Sequence, residues 1–279
     1  FALCQVHDEV IIPSPYWLSY PEMVALSGAR SVILKTDPKD GFKLTSKKLE
    51  DCITEKTKLL ILNSPSNPTG AIYAKDELTA IASLAKKHDF FILSDEIYEK
   101  IVYDGKSAFS VASLSQDAYK RTITVNGVSK SYSMTGWRIG YLGGPLEIAL
   151  AISNIQDHTT SNPASISQMA ALEAIKGNQS FLNLMVSEFT KRRDYLVKRL
   201  NSVGGFSAKT PEGAFYVFCD ISSFKMDSLE FCTKLLEEAK VAVIPGGPFG
   251  WDSFVRFSFA TSIENIIKGL DRIEKWVKQ

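Results

Sequence analysis

Six short apolar runs constrain this chain more than any other feature. They are Glu9 to Pro13, Ser31 to Lys35, Lys58 to Asn63, Phe90 to Ser94, Thr122 to Val125 and Gly140 to Gly143. Nearly continuous apolar runs of this length read as strands buried on both faces, because a half-exposed strand alternates. Between several of them lie stretches of helical period. Lys75 to His88 is one, with Thr79, Ile81, Leu84 and Ala85 expected to supply much of its inner stripe. Strands alternating with helices imply an α/β fold, a mostly parallel sheet with helices on both faces.

The pattern then changes. Asp157 to Pro163 reads as a polar stretch that opens a run of helix, and a long helix is expected from about Phe181 to Leu200. Strands follow at Ala214 to Cys219, Val241 to Ile244 and Phe254 to Phe259, mixed with helices at Ser228 to Lys240 and Ile263 to Lys278. The expected organisation is a large domain over 1–180 and a smaller C-terminal α+β domain over 181–279.

Three segments at strand ends carry chemistry. Lys130 sits in Gly127-Val128-Ser129-Lys130-Ser131, with Arg138 eight positions on and a β-type run before it. An amine flanked by hydroxyls and followed by a guanidinium is what a Schiff-base lysine beside a bound phosphate needs; the same residues also suit a surface loop. Asp95, in Ser94-Asp95-Glu96-Ile97-Tyr98, follows an apolar run directly, where open α/β sheets bind ligands. A carboxylate there can pair with a pyridinium nitrogen or cap a helix. Asn63-Ser64-Pro65-Ser66-Asn67-Pro68-Thr69-Gly70 reads as a rigid, sharply turning loop that fixes the Asn67 amide, or as a plain turn.

With Met134-Thr135-Gly136-Trp137-Arg138 and Val255-Arg256-Phe257-Ser258, these segments resemble the class I pyridoxal-phosphate aminotransferases of fold type I, and within them the bacterial and plastid aspartate branch. The motifs run in the family's order along nearly the whole chain. The resemblance implies that Lys130 forms the internal aldimine with pyridoxal 5′-phosphate and then moves the proton between substrate and cofactor. It implies that Asp95 holds the pyridinium proton, that Tyr98 and Asn67 bond the phenolic oxygen, and that Ser129 and Arg138 bind the phosphate. Arg256 would fork onto the substrate α-carboxylate, with Asn67 beside it, and Trp17 would stack on the ring; Trp17 also reads as an ordinary buried tryptophan. One departure is Gly127, where some branches carry a hydroxyl residue three before the lysine.

Phe1 to Val6 reads as the tail of a helix leading into the first strand. In the family such a helix carries a glycine-rich phosphate turn, so the resemblance implies a chain truncated at its N-terminus that binds cofactor weakly as it stands. It also implies a homodimer in the full-length protein, and an amino group exchanged between aspartate and 2-oxoglutarate. Aromatic or prephenate-type substrates, a β-lyase, and the cofactor-sensing domain of a regulator are the alternatives.

Composition excludes other classes. A net charge of +1 offers no nucleic-acid or membrane surface. Cys4, Cys52, Cys219 and Cys232 lack CxxC spacing and, with His7, His88 and His158, form no metal set. Reduced thiols fit a cytoplasmic protein, although a targeting peptide remains open. His158 reads as a loop or interface histidine, since Lys130 already supplies proton transfer. Pro245 to Gly250 reads either as a flexible surface turn or as a loop that shifts when substrate closes the lobes.

Overall fold

The computed structural model describes residues 1–279. Its first sheet contains β1 (Glu9–Ser14), β2 (Arg30–Lys35), β3 (Thr57–Asn63), β4 (Phe91–Asp95), β5 (Thr122–Gly127) and β6 (Gly140–Gly143) in the order β2-β1-β3-β4-β5-β6. All pairings are parallel except β5 with β6. In the central strands β1 and β3 the apolar runs are continuous because both faces are buried, whereas the edge strands β2 and β6 are largely exposed. Val10 and Ile12 of β1, with Leu59 and Ile61 of β3, pack into one core, while Ile11, Leu60 and Leu62 pack into the other. Each such side chain contributes about 2 kcal/mol by leaving water.

The helices of this part are α1 (Ser19–Leu26), α2 (Ser46–Glu50), α3 (Lys75–His88), α4 (Gln116–Arg121), α5 (Leu146–Thr159) and α6 (Ser165–Lys176). In α3 the Glu77 carboxylate accepts from Ala74 N–H at 2.7 Å, and the helix ends where Asp89 turns left-handed at φ 56°. Its inner stripe is Leu78, Ile81, Leu84 and Ala85. Thr79, expected inside, is exposed and donates to the Lys75 carbonyl, since a hydroxyl can satisfy itself one turn back.

A 23-residue helix, α7 (Ser180–Ser202), leads to the second sheet, in the order β7 (Ser207–Ala208), β8 (Tyr216–Asp220), β10 (Phe254–Ser258), β9 (Ile244–Pro245), all antiparallel. Helices α8 (Ser228–Ala239) and α9 (Ile263–Val277) cover it and start on side-chain caps, Asp227 to Glu230 N–H and Ser262 to Asn265 N–H. The 25-residue core under this sheet also takes Tyr98, Ile101 and Tyr103 from the loop after β4. Buried Arg193 of α7 forks onto Asp104 at 2.8 and 3.0 Å, fastening α7 to the same loop.

Three expectations change. Phe1 to Val6 is irregular, its turn closed by Asp8 and Gln5 bonding each other. Asp157 to Thr159 close α5, which begins after Pro145 and whose hydrogen bonds carry through the polar end, and the expected run of helix opens just after the stretch, at Ser165 of α6. Only Ile244 and Pro245 of the expected strand at Val241 to Ile244 pair in the sheet, while Val241 and Val243 pack on the core without a ladder. No helix is long and apolar enough to cross a membrane.

Candidate active site

Four parallel strands end side by side, and the segments singled out in the sequence lie just past those ends. Pro15 to Trp17 follows β1, Asn63 to Gly70 follows β3, Asp95 to Tyr98 follows β4 and Gly127 to Lys130 follows β5. This is the crevice in which open α/β sheets bind ligands.

At the end of β4 neighbouring carboxylates part company because successive side chains point to opposite faces. Glu96 turns inward, where it accepts from Ser94 Oγ at 2.7 Å and from Val111 N–H at 3.3 Å. Asp95 faces the crevice and accepts from Tyr20 Oη at 2.5 Å and from Ile97 N–H at 3.2 Å. The second bond makes a local turn, so Asp95 caps no helix. Burial pushes the Asp95 carboxyl upward, opposed by the Tyr20 hydroxyl, the Ile97 amide and the Lys130 charge. A carboxylate has about four lone-pair sites. Asp95 therefore keeps room for a further donor, and a cationic one would offset the cost of burying it.

Lys130 is half-buried, with Nζ 6.0 Å from the centre of the Phe215 ring. Its amine is held below the ordinary lysine range first by burial, then by the positive charges of Arg256 and Arg138, with Asp95 pulling the other way. A lysine so placed is more often the free amine, which is the nucleophilic form. Ser129 is half-buried. Arg138 is exposed, left-handed at φ 56°, and donates Nη1 to Thr135 O at 2.9 Å, leaving most of its donors free. Gly127 has a steric reason: a Cβ there would lie 2.8 Å from Ile139 O and 3.1 Å from Gly140 Cα, across the tight β5–β6 pairing. A hydroxyl residue at 127 would force these strands apart.

The second sheet brings Arg256 over the same crevice. Its Nη1 donates to Asn67 Oδ1 at 2.9 Å, its guanidinium carbon lies 4.3 Å from the Tyr216 ring centre and 5.1 Å from that of Phe249, and its Nε is buried without a partner. A buried N–H of a fork is a donor in want of an acceptor. Tyr98 is buried and its Oη lies 3.0 Å from Tyr216 Oη; burial pushes its hydroxyl well above the ordinary tyrosine range. Trp17 is half-buried, its ring edge-on to Tyr20 at 5.4 Å. His158 lies on the last turn of α5, remote in sequence from all these segments.

The structure thus gathers Lys130, Asp95, Tyr98, Asn67 and Arg256 around one crevice, with Ser129 and Arg138 on the loop and turn beside Lys130. Sequence reading missed Tyr20, Asn63 and Tyr216. Asn63 donates to the Asp95 carbonyl at 2.9 Å and accepts from Asn67 N–H at 2.7 Å, bracing two of the segments at once. Its position as the polar residue closing the β3 run was the available signal, and nothing in the sequence marked Tyr20 or Tyr216. The glycine-rich loop of 246–250 is pinned: Ser14 Oγ donates to Phe249 O at 3.3 Å, and a Cβ on Gly250 would meet Ser14 Oγ at 2.4 Å. That contact disfavours the free surface turn.

Comparison with known proteins follows the same lines. Residues 1–273 match the family described as aminotransferase class I and II. An aspartate aminotransferase of Bacillus sp. (strain YM-2) is 45% identical over 276 residues, covering 97% of this chain and 70% of its own length. An aspartate/prephenate aminotransferase of Cereibacter sphaeroides is 46% identical over 278 residues, covering 96% and 70%. The crystal structure of an aspartate aminotransferase from Rhizobium meliloti superposes with a TM-score of 0.95 at 42% identity, covering 99% of this chain and 72% of that one.

Proposed function

This chain belongs to the class I and II aminotransferases, and from that premise we propose that it exchanges an amino group between aspartate and 2-oxoglutarate, using pyridoxal 5′-phosphate held at Lys130. The observation that carries the reading is the state of Lys130: an amine lowered by burial and by two guanidinium charges, in a crevice that also holds a shielded carboxylate. When bound, the cofactor supplies an electron sink for the pair of electrons left on the substrate α-carbon as its proton departs.

The remaining work falls to the protein. Asp95, braced by Tyr20 and Ile97, offers its free acceptor capacity to a ring N–H and keeps that nitrogen charged. Tyr98 and Asn67 donate toward the ring's phenolic oxygen, Trp17 covers a ring face, and Ser129 and Arg138 take the phosphate, Arg138 through a planar fork that matches it. Arg256 receives the substrate α-carboxylate, which satisfies the buried Nε and lies beside the Asn67 amide. Lys130, whose free-amine form is favoured by burial and by the neighbouring guanidinium charges, would take the α-proton and return it to the cofactor side. The division into domains 1–180 and 181–279 belongs to the proposal as well. So does a homodimer, which the exposed Leu146, Leu150, Ile166, Met169 and Leu172 of α5 and α6 support.

The named activities of the relatives favour exchange over β-elimination or ligand sensing, and prephenate stays in the test because one of them carries it in its name. Borohydride reduction of the protein expressed from its complete gene, followed by peptide mapping, should place the label on Lys130. A label on another lysine removes the assignment. Comparing kcat/KM for aspartate, phenylalanine and alanine as donors, and prephenate as acceptor, should give aspartate the highest value. A strong preference for alanine overturns the substrate.

A further inference from the structure

One residue touches both the phenol that faces the cofactor ring and the fork that faces the substrate. Tyr216 lies on β8 with 7% of its surface exposed. Its hydroxyl meets that of Tyr98 at 3.0 Å, and the Arg256 guanidinium carbon lies 4.3 Å from its ring centre. In the β8–β10 ladder Arg256 stands opposite Phe218, while Tyr216 stands opposite Ser258. The guanidinium therefore leans two residues along the sheet to reach the Tyr216 ring, a diagonal contact open to long side chains.

Resting on the function proposed above, we propose that Tyr216 is a positioning residue for both halves of the site: its ring is the platform that fixes the plane of Arg256, and its hydroxyl donates to Tyr98. Each hydroxyl has one proton and two lone pairs. If Tyr98 donates to Tyr216, its proton is used and it faces the cofactor only as an acceptor. If Tyr216 donates, Tyr98 keeps its proton for the phenolic oxygen, and a donor in series strengthens the next one. The guanidinium selects the second arrangement, because positive charge over a π face draws electron density from the ring and makes its hydroxyl the readier donor. Arg256 itself gains a fixed plane. A fork bound at one nitrogen by Asn67 and lying on an aromatic face has little freedom left to lose when a carboxylate arrives.

Two substitutions in the holoprotein separate these roles from simple space-filling. Tyr216→Phe keeps ring and volume and removes the hydroxyl. With Tyr98 less able to stabilise an ionised phenolic oxygen, the apparent pKa of the cofactor's absorbance band should rise by about half a unit, roughly threefold in proton affinity, while KM for the amino donor stays within about twofold. Tyr216→Leu also removes the platform. KM and the dissociation constant for the unreactive dicarboxylate succinate, measured by calorimetry, should rise by about tenfold. A Phe variant whose band titrates as wild type does, or a Leu variant that binds succinate as wild type does, overturns the inference and leaves the proposed function standing. A wild-type protein with no pH-dependent cofactor band overturns that function and this inference with it.

Discussion

The two ends of the crevice are built on opposite principles. At the end proposed for the substrate carboxylate, Arg256 bonds Asn67 across 189 residues of sequence and Tyr98 meets Tyr216 across 118, all of it at least half-buried between two sheets. At the end proposed for the cofactor phosphate, Ser129, Lys130 and Arg138 belong to one segment, and the Arg138 side chain bonds only to a carbonyl three residues away. Folding has already oriented the first end, with one Arg256 N–H bonded to Asn67 and the buried Nε left without a partner, whereas the second end is held by a single local bond. Geometric selectivity belongs to the first end. A dianion, which rewards many charge-assisted bonds over exact placement, suits the second.

The strongest way to break this contrast is at the fork. Arg256→Lys keeps the charge but cannot make two parallel bonds in one plane, and losing one charge-assisted bond of about 1.5 to 3 kcal/mol corresponds to a drop of roughly 10- to 100-fold in kcat/KM. Cofactor absorbance should be retained. Steady-state kinetics within twofold of wild type would mean that the carboxylate end lies elsewhere. The seam beneath that end comes next. Gly70 is left-handed at φ +70°, and a Cβ there would lie 2.4 Å from Pro211 Cβ and 2.7 Å from Gly213 O. Gly70→Ala should cost about 2 kcal/mol in urea unfolding, through both strain and overlap, and should raise KM. An unchanged midpoint would show that the two sheets are not tightly coupled there.

The smallest effect sharpens the link between the ends. Lys130 is lowered by burial first, then by Arg256 and Arg138. Only the free amine attacks a carbonyl, so capture of added pyridoxal phosphate should quicken as pH rises and level off above the lowered pKa. In Arg256→Gln one positive neighbour is gone, the pKa moves back up toward the ordinary 10.5, and the profile shifts to higher pH. In Arg256→Lys it should stay in place. Stopped-flow absorbance at a series of pH values reads the difference, and coincident profiles for the Gln variant and wild type would detach Arg256 electrostatically from Lys130.

Sequence patterning located the first sheet well because its strands are self-contained apolar runs, those of β1 and β3 buried on both faces, even though the edge strands β2 and β6 are largely exposed. It did less well where pairing depends on a neighbour: Val241 and Val243 have the composition of a strand but pack edgewise, since β9 meets β10 only at Ile244 and Pro245. In the site, Lys130, Asp95 and Asn67 stood out because each follows an apolar run. Tyr20 was invisible, as its bond to Asp95 spans 75 residues and its neighbours read as an ordinary helix start. Gly127 looked like a lost hydroxyl until the β5–β6 spacing gave it a steric cause.

The seam of Gly70 and Gly213 has a further consequence. There Glu212 and Gly213 donate their amides to the Gly70 carbonyl, at 3.1 and 2.9 Å, and a Cβ on Gly213 would meet Pro65 at 2.7 Å. Backbone lies on backbone, packed only against the rigid rings of Pro65 and Pro211, so the loop bearing Asn67 is tied to the segment that leads into β8. Ordinary substitution has nothing there to adjust. On the function proposed above, a change of substrate side chain would then have to come from residues around the rim, leaving the grip on the α-carboxylate untouched.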